Sequence, residues 1–323
     1  MPARPKLPRT LLTPRTTAYL YLILNTVTWG AALGLVKPAL ETTTPFRYLF
    51  YRYALACLLT VPLLWKFLRQ KPKLASFIPT ISWVELLGTT LSLGLLYAGL
   101  RLTTSIEASL LLATQPITIT LAGILFLRER EEKREWIGLL IALAGTLLLA
   151  AEPLFSGVRV AGSSAFGNGL VLTSTLVTAV YFIVAKKKYH TIPKLFSASI
   201  SFYIGLISFF VLSLFELVHT QSQNELVRVF SIDFHSPAVW LAAGYMAIFG
   251  SIIGLTAYLK GQDLIEASEA SIFMYLQPLV ALPIGYFFLG EKLLPAQFAA
   301  LFLIILGVIW SQKMSTATSR KAK

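Results

Sequence analysis

Apolar runs of membrane length recur along this chain and restrict its fold more than any other feature. A helix that crosses a bilayer core of about 30 Å needs roughly 20 apolar residues. Only 13% of the residues are charged, against about 25% in soluble domains. The sequence therefore predicts an all-α polytopic membrane protein with ten transmembrane helices. The ten predicted helices, numbered in chain order, are 17–37, 45–66, 80–100, 105–127, 135–152, 166–187, 194–218, 237–259, 264–289 and 294–312.

Positive charges concentrate on alternate loops between these runs. If the loops alternate sides, 21 of the 28 lysines and arginines fall on the side that holds both termini, and six fall on the other. Loops rich in lysine and arginine stay in the cytoplasm. We therefore expect a multi-pass protein of the cell inner membrane with both termini cytoplasmic. The net charge of +13 then reflects membrane topology, and no nucleic-acid partner is expected.

One segment of the chain occurs twice. "EASLLLATQPITITLAGILFLRE" at 107–129 and "EASIFMYLQPLVALPIGYFFLGE" at 269–291 are identical at nine of 23 positions. The match carries helix 4 onto helix 9, so helices 1–5 and 6–10 form two repeats, and because five is odd the second repeat is inverted. Inverted repeats enclose a substrate site near the membrane midplane. The predicted organisation is a disordered basic N-terminal tail at 1–16, a first repeat at 17–153, an inverted second repeat at 166–312 and a cytoplasmic tail at 313–323.

The repeated segment places a Gln-Pro pair in the middle of helices 4 and 9. Pro116 and Pro278 each remove a backbone donor and free a carbonyl one turn earlier, and in lipid that carbonyl needs a partner. Two interpretations follow. The prolines kink the helices for packing, or they form a hinge or cavity wall where Gln115 and Gln277 contact a ligand.

Charged residues inside the spans are candidates for function. Arg52 in helix 2 is expected to face the bundle or to snorkel outward. Glu107 and Glu269 begin helices 4 and 9, where the helix dipole favours a carboxylate. They either cap and pack there, or they couple transport to protons or contact the substrate. Glu85 falls near the cytoplasmic end of helix 3 and is expected at the interface.

Polar and aromatic residues in helices 1, 3, 6, 8 and 9 complete the candidate site, although such residues also join helices to one another without a ligand. The predicted substrate-binding residues are Asn25, Thr28, Trp29, Arg52, Tyr97, Gln115, Tyr181, Tyr258, Tyr275 and Gln277.

The sequence carries none of the motifs of catalysis that we sought. It has no HExxH, no Gly-rich phosphate loop before a soluble helix and no GxSxG. Its one cysteine, Cys57, permits neither an internal disulfide nor a thiolate metal site. We therefore predict no enzyme, no cofactor and no metal.

Several of these stretches resemble the drug/metabolite transporter superfamily, specifically its EamA-type members. The resemblance rests on "TWG" in helix 1, Arg52 in "YRYALA", the two Gln-Pro segments above, and the glycine-bearing "GLLIALAGTLLL" and "ALFLIILGVIW" of helices 5 and 10. It implies transport of small metabolites or drugs through a cavity lined by helices 1, 3, 4, 6, 8 and 9, with helices 5 and 10 used for packing. Many similar bacterial proteins export amino acids.

The expected function is thus export of amino acids or related small metabolites by alternating access, in a monomer or homodimer within the lipid bilayer. A flippase for lipid-linked sugars is the alternative within transport. A membrane-embedded receptor or enzyme would require clustered protonatable groups, a metal or an extracellular domain, and the sequence shows none of these.

Overall fold

The computed structural model describes residues 13–103, 108, 111–112, 114–127, 133–155, 165–220, 232–289 and 295–313. Glu107 and most of the two predicted tails lie outside these residues. Within them the chain is helical and contains no strand. The predicted all-α class is confirmed.

Among the described residues, ten longer helical segments overlap the ten predicted helices, and a short helical stretch also lies at 232–235. Seven of them, α1–α3 and α6–α9, are long and apolar enough to cross a membrane. The described part of α4 is shorter, as is the apolar stretch Trp136–Gly145 within α5. The segments are α1 Pro14–Thr42, α2 Pro45–Gln70, α3 Pro72–Leu102, α4 Gln115–Leu127, α5 Lys133–Phe155, α6 Ala165–Tyr189, α7 Lys194–Thr220, α8 Pro237–Leu264, α9 Ala267–Leu289 and α10 Pro295–Lys313.

Proline marks where five of these helices begin. Proline fits the first turn of a helix because the amide hydrogen that it lacks would have no partner there. In α1 and α2 a threonine precedes the proline and caps the helix: the Thr13 hydroxyl accepts from the Thr16 amide at 3.1 Å, and the Thr44 hydroxyl accepts from the Arg47 amide at 3.4 Å. These local signals favour the helix starts independently of tertiary contacts.

Helix pairing follows a pattern of five. Helix α2 packs against α7, α4 against α9 and α5 against α10, while α3 packs against α6 and α1 against α8. If five is added to each helix number, counting on from ten to one, the pairs α2–α7, α4–α9 and α5–α10 are unchanged. The same operation turns the α3–α6 pair into the α8–α1 pair. The α5–α10 contact is close: a Cβ on Gly307 would lie 2.6 Å from the Ala142 amide nitrogen. Small residues permit such backbone approach between helices in lipid.

Four helices contain turns that depart from α-helical geometry, and in α4 these are π-helical turns at Gly123–Leu127. Helix α3 has π-helical turns at Leu86–Ser92, and α8, five helices later, has them at Met246–Leu255. Helix α9 tightens to a 3₁₀ turn at Phe273–Leu276, directly before Gln277. The Phe273 carbonyl accepts from the Thr26 hydroxyl of α1 at 2.9 Å, so a carbonyl in this irregular stretch is satisfied by protein, as the bilayer requires.

The outer surface of the bundle is apolar. Leu58, Leu125 and Phe287 are each about 70% exposed or more. Water would penalise so many exposed large apolar side chains, whereas lipid tails do not. Trp65 and Trp83 are also exposed, consistent with the tryptophan enrichment at membrane interfaces.

Candidate functional site

A cavity of about 140 Å³ lies among the helices at the irregular turns. Its walls come from α1, α2, α3, α6, α7, α8, α9, from Gln115 of α4 and from Leu112 before it; no described residue of α5 or α10 contributes. The expected lining by helices 1, 3, 4, 6, 8 and 9 is therefore extended by α2 and α7. Polar and aromatic wall residues are Trp29, Arg52, Tyr53, Thr89, Ser92, Tyr97, Gln115, Thr178, Tyr181, Phe182, Phe202, Ser251 and Gln277.

Arg52 provides the positive charge of the cavity. Its side chain is buried and does not snorkel. The guanidinium donates from Nε and Nη2 to Ser251 Oγ at 3.1 and 3.0 Å, and from Nη1 to the Tyr97 hydroxyl at 3.1 Å. Among the described residues no carboxylate forms an ion pair with it. A buried cation held by two neutral hydroxyls, with the Tyr53 ring centroid 5.1 Å from its Cζ atom, retains its attraction for an anionic group.

Trp29 forms an aromatic wall. Its indole Nε1 donates to the Gly250 carbonyl at 2.9 Å, and its ring stacks on Tyr258 with centroids 5.7 Å apart. Phe182 completes the stack at 6.4 Å from Trp29. The π-helical turns of α8 allow this approach: a Cβ on Gly254 would lie 2.7 Å from the indole nitrogen. The indole is thereby held in one orientation, with apolar surface toward the cavity.

The structure brings six of the ten predicted substrate-binding residues to the cavity wall. These are Trp29, Arg52, Tyr97, Gln115, Tyr181 and Gln277.

The other four lie elsewhere in the bundle. Asn25 donates to the Gly254 carbonyl at 3.1 Å, and Thr28 donates to the Asn25 carbonyl at 2.9 Å. Tyr258 is fully buried behind Trp29. Tyr275 is buried in a cluster with residues of α5. Asn25, Tyr258 and Tyr275 contact neighbouring helices, whereas the Thr28 hydroxyl bonds within α1.

The predicted hinge residues occupy helix breaks. Thr114, a turn residue, immediately precedes Gln115 and Pro116, and the 3₁₀ turn of α9 immediately precedes Gln277 and Pro278. The predicted coupling residue Glu269 lies in the first turn of α9.

Glu269 links α9 to the start of α1. Its Oε1 accepts from Arg15 Nε at 2.8 Å and from the Tyr19 hydroxyl at 2.5 Å. The carboxylate is thus engaged in an ion pair between α1 and α9, away from the cavity wall.

Glu85 was expected at the membrane interface, and the structure shows that protein encloses its side chain. Its side chain is 1% exposed, because α6 and α7 cover this face of α3. Its Oε2 accepts from the hydroxyls of Thr89 and Ser201 at 2.6 and 2.8 Å, and its Oε1 accepts from those of Tyr181 and Tyr189, both at 3.0 Å.

A spacing of polar residues in the sequence indicates the buried Glu85 site. Glu85, Thr89 and Ser92 are spaced i, i+4 and i+7 along one helix, which is the spacing of a single polar face. Thr89 and Ser92 both line the cavity. A polar stripe inside a membrane span therefore indicated that this stretch of α3 meets protein, and two of its residues line the cavity.

The family comparison agrees with the geometry. The EamA-like transporter family matches residues 16–151 and again residues 165–311. The chain belongs to the EamA-like transporter family. This EamA-like protein is accordingly a polytopic helical membrane transporter.

Individual relatives are similar over nearly their whole length. The chain is 27% identical to the uncharacterized transporter YcxC of Bacillus subtilis (strain 168) over 300 residues, covering 92% of this chain and 93% of the relative. It is 24% identical to the uncharacterized inner membrane transporter YedA of Escherichia coli (strain K12), covering 88% and 86%. A solved crystal structure of a protein with 19% identity superposes with a TM-score of 0.70 over 96% of this chain and 99% of that one, and so shares the fold.

Proposed function

We propose that this EamA-like transporter exports amino acids or closely related small metabolites across the cell inner membrane by alternating access. The observation that carries the proposal is Arg52, a buried cation on the wall of a partly aromatic cavity, with no described carboxylate partner. A substrate carboxylate would supply the missing negative charge through charge-assisted hydrogen bonds. The aromatic walls favour an apolar or aromatic side chain on the same substrate.

Two inverted halves, 17–153 and 166–312, form the moving parts in this proposal. The double family match and the helix pairing in steps of five support the repeat. The cavity lies between the halves, since α1–α4 form one part of its wall and α6–α9 form the other. Rocking of one half against the other would then expose Arg52 to one side of the membrane at a time.

Two ion pairs between described residues join the halves away from the cavity, and we propose that they act as alternating latches. Arg15 pairs with Glu269 between α1 and α9. Arg47 of α2 pairs with Asp233, ahead of α8, at 2.7 Å, and both side chains are buried. With both termini cytoplasmic, the Arg15–Glu269 latch would close the cytoplasmic side and the Arg47–Asp233 latch the outer side. Each would have to break when its side opens.

Counterflow in proteoliposomes tests this function. Vesicles containing the purified protein are loaded with one unlabelled amino acid and given the same labelled amino acid outside, across a panel that includes L-phenylalanine, L-leucine, L-glutamate and L-lysine. We expect accumulation of labelled apolar or aromatic amino acids. Protein-free vesicles provide the background. No counterflow of any member of the panel would refute the amino-acid proposal, and flipping of a labelled lipid-linked sugar in the same vesicles would favour the flippase.

The direction of transport needs a separate measurement in cells. Expression of the transporter should lower the intracellular level of the transported amino acid after dipeptide loading, because export is the proposed direction. A raised intracellular level would show uptake instead. The variant Arg52→Gln provides the matched control, because it keeps a polar side chain at the position and removes the charge.

A further inference from the structure

We infer that Glu85 is a proton-binding site that couples substrate export to proton entry. The inference rests on the proposed function for the identity of the substrate, but the proton site itself rests on side-chain geometry. Glu85 is buried in the bundle, and two of the four side chains that bind its carboxyl group, Thr89 and Tyr181, also line the cavity.

Counting protons in the cluster identifies where an additional proton fits. Glu85 Oε2, Thr89 Oγ1 and Ser201 Oγ form a triangle with sides of 2.6, 2.8 and 2.8 Å. Each side is a hydrogen-bond distance, yet the two hydroxyls supply two protons for three contacts. A proton on Glu85 Oε2 supplies the third: Glu85 donates to Ser201, Ser201 donates to Thr89, and Thr89 donates back to Glu85. The protonated form therefore satisfies every contact of the triangle.

The other carboxyl oxygen tolerates both protonation states. Oε1 accepts from the hydroxyls of Tyr181 and Tyr189, and it remains an acceptor when Oε2 carries a proton. The four hydroxyls likewise stabilise the ionised form, since a carboxylate that accepts several hydrogen bonds is partly compensated for its burial. A site that accommodates both states without rearranging its neighbours is suited to reversible proton binding.

No described cation holds Glu85 in the ionised state. From α6 the titratable groups that face it are the Tyr181 and Tyr189 phenols, and from α2 the nearest is Tyr53. From α7 the facing group is the Ser201 hydroxyl. Farther along α7, Lys194 lies against the Tyr189 carbonyl and is paired with Asp263 at 2.9 Å.

The cavity provides the route for the proton and the link to the substrate. A proton from water in the cavity reaches Oε2 through the Thr89 hydroxyl and leaves by the same path after the halves have reoriented. Ionised Glu85 lies behind one part of the cavity wall and buried Arg52 lines another part, so a zwitterionic amino acid meets an attraction for each of its charges. Protonation of Glu85 removes the attraction for the ammonium group, so the proton and the amino acid compete, which is the requirement for antiport.

Infrared difference spectroscopy of the purified protein in lipid nanodiscs tests the proton site without any substrate. Acidification should produce the carbonyl stretch of a newly protonated carboxyl group in a dry environment, and Glu85→Gln should abolish it. Glu41→Gln, the same change at an exposed position, should leave the band in place. A band that persists unchanged in Glu85→Gln would overturn the inference.

Coupling is tested with L-phenylalanine in proteoliposomes. In the wild-type protein we expect the apparent affinity to fall by about 5- to 150-fold from the ionised to the protonated form of Glu85, the usual range for coupling between two sites. Glu85→Gln mimics the protonated form, so its counterflow should require the higher L-phenylalanine concentrations of the low-affinity form at every pH. The variant should also lose accumulation driven by a pH gradient. Gradient-driven accumulation that survives in Glu85→Gln would refute the coupling role. If no amino acid is transported while the carboxyl band still titrates at Glu85, the proposed function fails and the proton site stands.

Discussion

Replacing Arg52 with glutamine should selectively weaken binding of substrates that carry a carboxylate. In the structure the guanidinium is fixed by Ser251 and Tyr97 and faces the cavity with its charge unmatched by any described carboxylate. Glutamine keeps a hydrogen-bonding side chain but supplies no positive charge and a shorter reach. A ligand carboxylate would therefore lose its charge-assisted hydrogen bonds, while the rest of the ligand would keep its contacts.

The expected size of the effect follows from the kind of interaction lost. A hydrogen bond to a charged group contributes about 1.5–3 kcal/mol, which corresponds to a loss of about 10- to 150-fold in affinity. Lysine at this position should recover part of the loss, because it restores the charge but not the planar fork that reaches Ser251 and Tyr97 together.

A pair of ligands isolates the carboxylate. Competition by L-phenylalanine and by phenethylamine, which lacks the carboxylate, is measured for wild-type and Arg52→Gln protein in the same proteoliposomes. L-Phenylalanine should lose affinity in the variant and phenethylamine should not. Ser251→Ala removes the oxygen that holds Nε and Nη2 but keeps the charge, so we expect a loss of less than tenfold for either ligand, about 1 kcal/mol for a neutral hydrogen bond.

Equal losses for the two ligands would refute the reasoning, because the arginine would then act on the shape of the cavity and not on the carboxylate. Thermal unfolding in detergent distinguishes a loss of ligand affinity from a folding defect. The variant must retain a cooperative transition, with a monodisperse elution profile, for the affinity comparison to count.

Three further outcomes follow from the structure. Gly88→Ala should reduce transport strongly, because the new Cβ would lie 2.1 Å from a carbon of a tyrosine ring on α6, whereas Gly244→Ala, with nothing within 4 Å, should keep wild-type counterflow. Asp233→Asn should lower the free energy of unfolding by about 3–5 kcal/mol, the usual cost of removing one partner of a buried ion pair. A decrease of less than 1 kcal/mol in the free energy measured by denaturant unfolding would argue against burial of the pair. Single cysteines placed at Arg69 and Lys187, with the native cysteine replaced, should both react with an impermeant reagent from the cytoplasmic side only; labelling from opposite sides would contradict the inverted repeat.

The sequence predicted where the helices lie because an apolar run of membrane length is a local property of the chain. The predicted run 45–66 corresponds to Pro45–Gln70, and 194–218 corresponds to Lys194–Thr220. Both helices contain long apolar runs, and the hydrophobic requirement of the bilayer leaves few alternatives for them.

The orientation of each helix was harder to predict, because it depends on which neighbour covers each face. Tyr97 and Tyr275 look equivalent in the sequence, yet Tyr97 lines the cavity and Tyr275 packs toward α5. Glu85 lies near a predicted helix end, and its burial depends on hydroxyls of α6 and α7 that lie about 100 residues away in the chain. Hydropathy records how apolar a segment is but not which of its faces meets protein.

The π-helical turns of α3 should change the periodicity with which substitutions along this helix affect the protein. Each residue added to a helical turn rotates everything beyond it by about 100° about the axis. Positions before Leu86 and after Ser92 therefore follow two helical wheels that are out of phase. A tryptophan scan along α3 should show sensitivity with a regular period up to Glu85, a jump in phase across the wide turns, and the same period again from Leu93 onward.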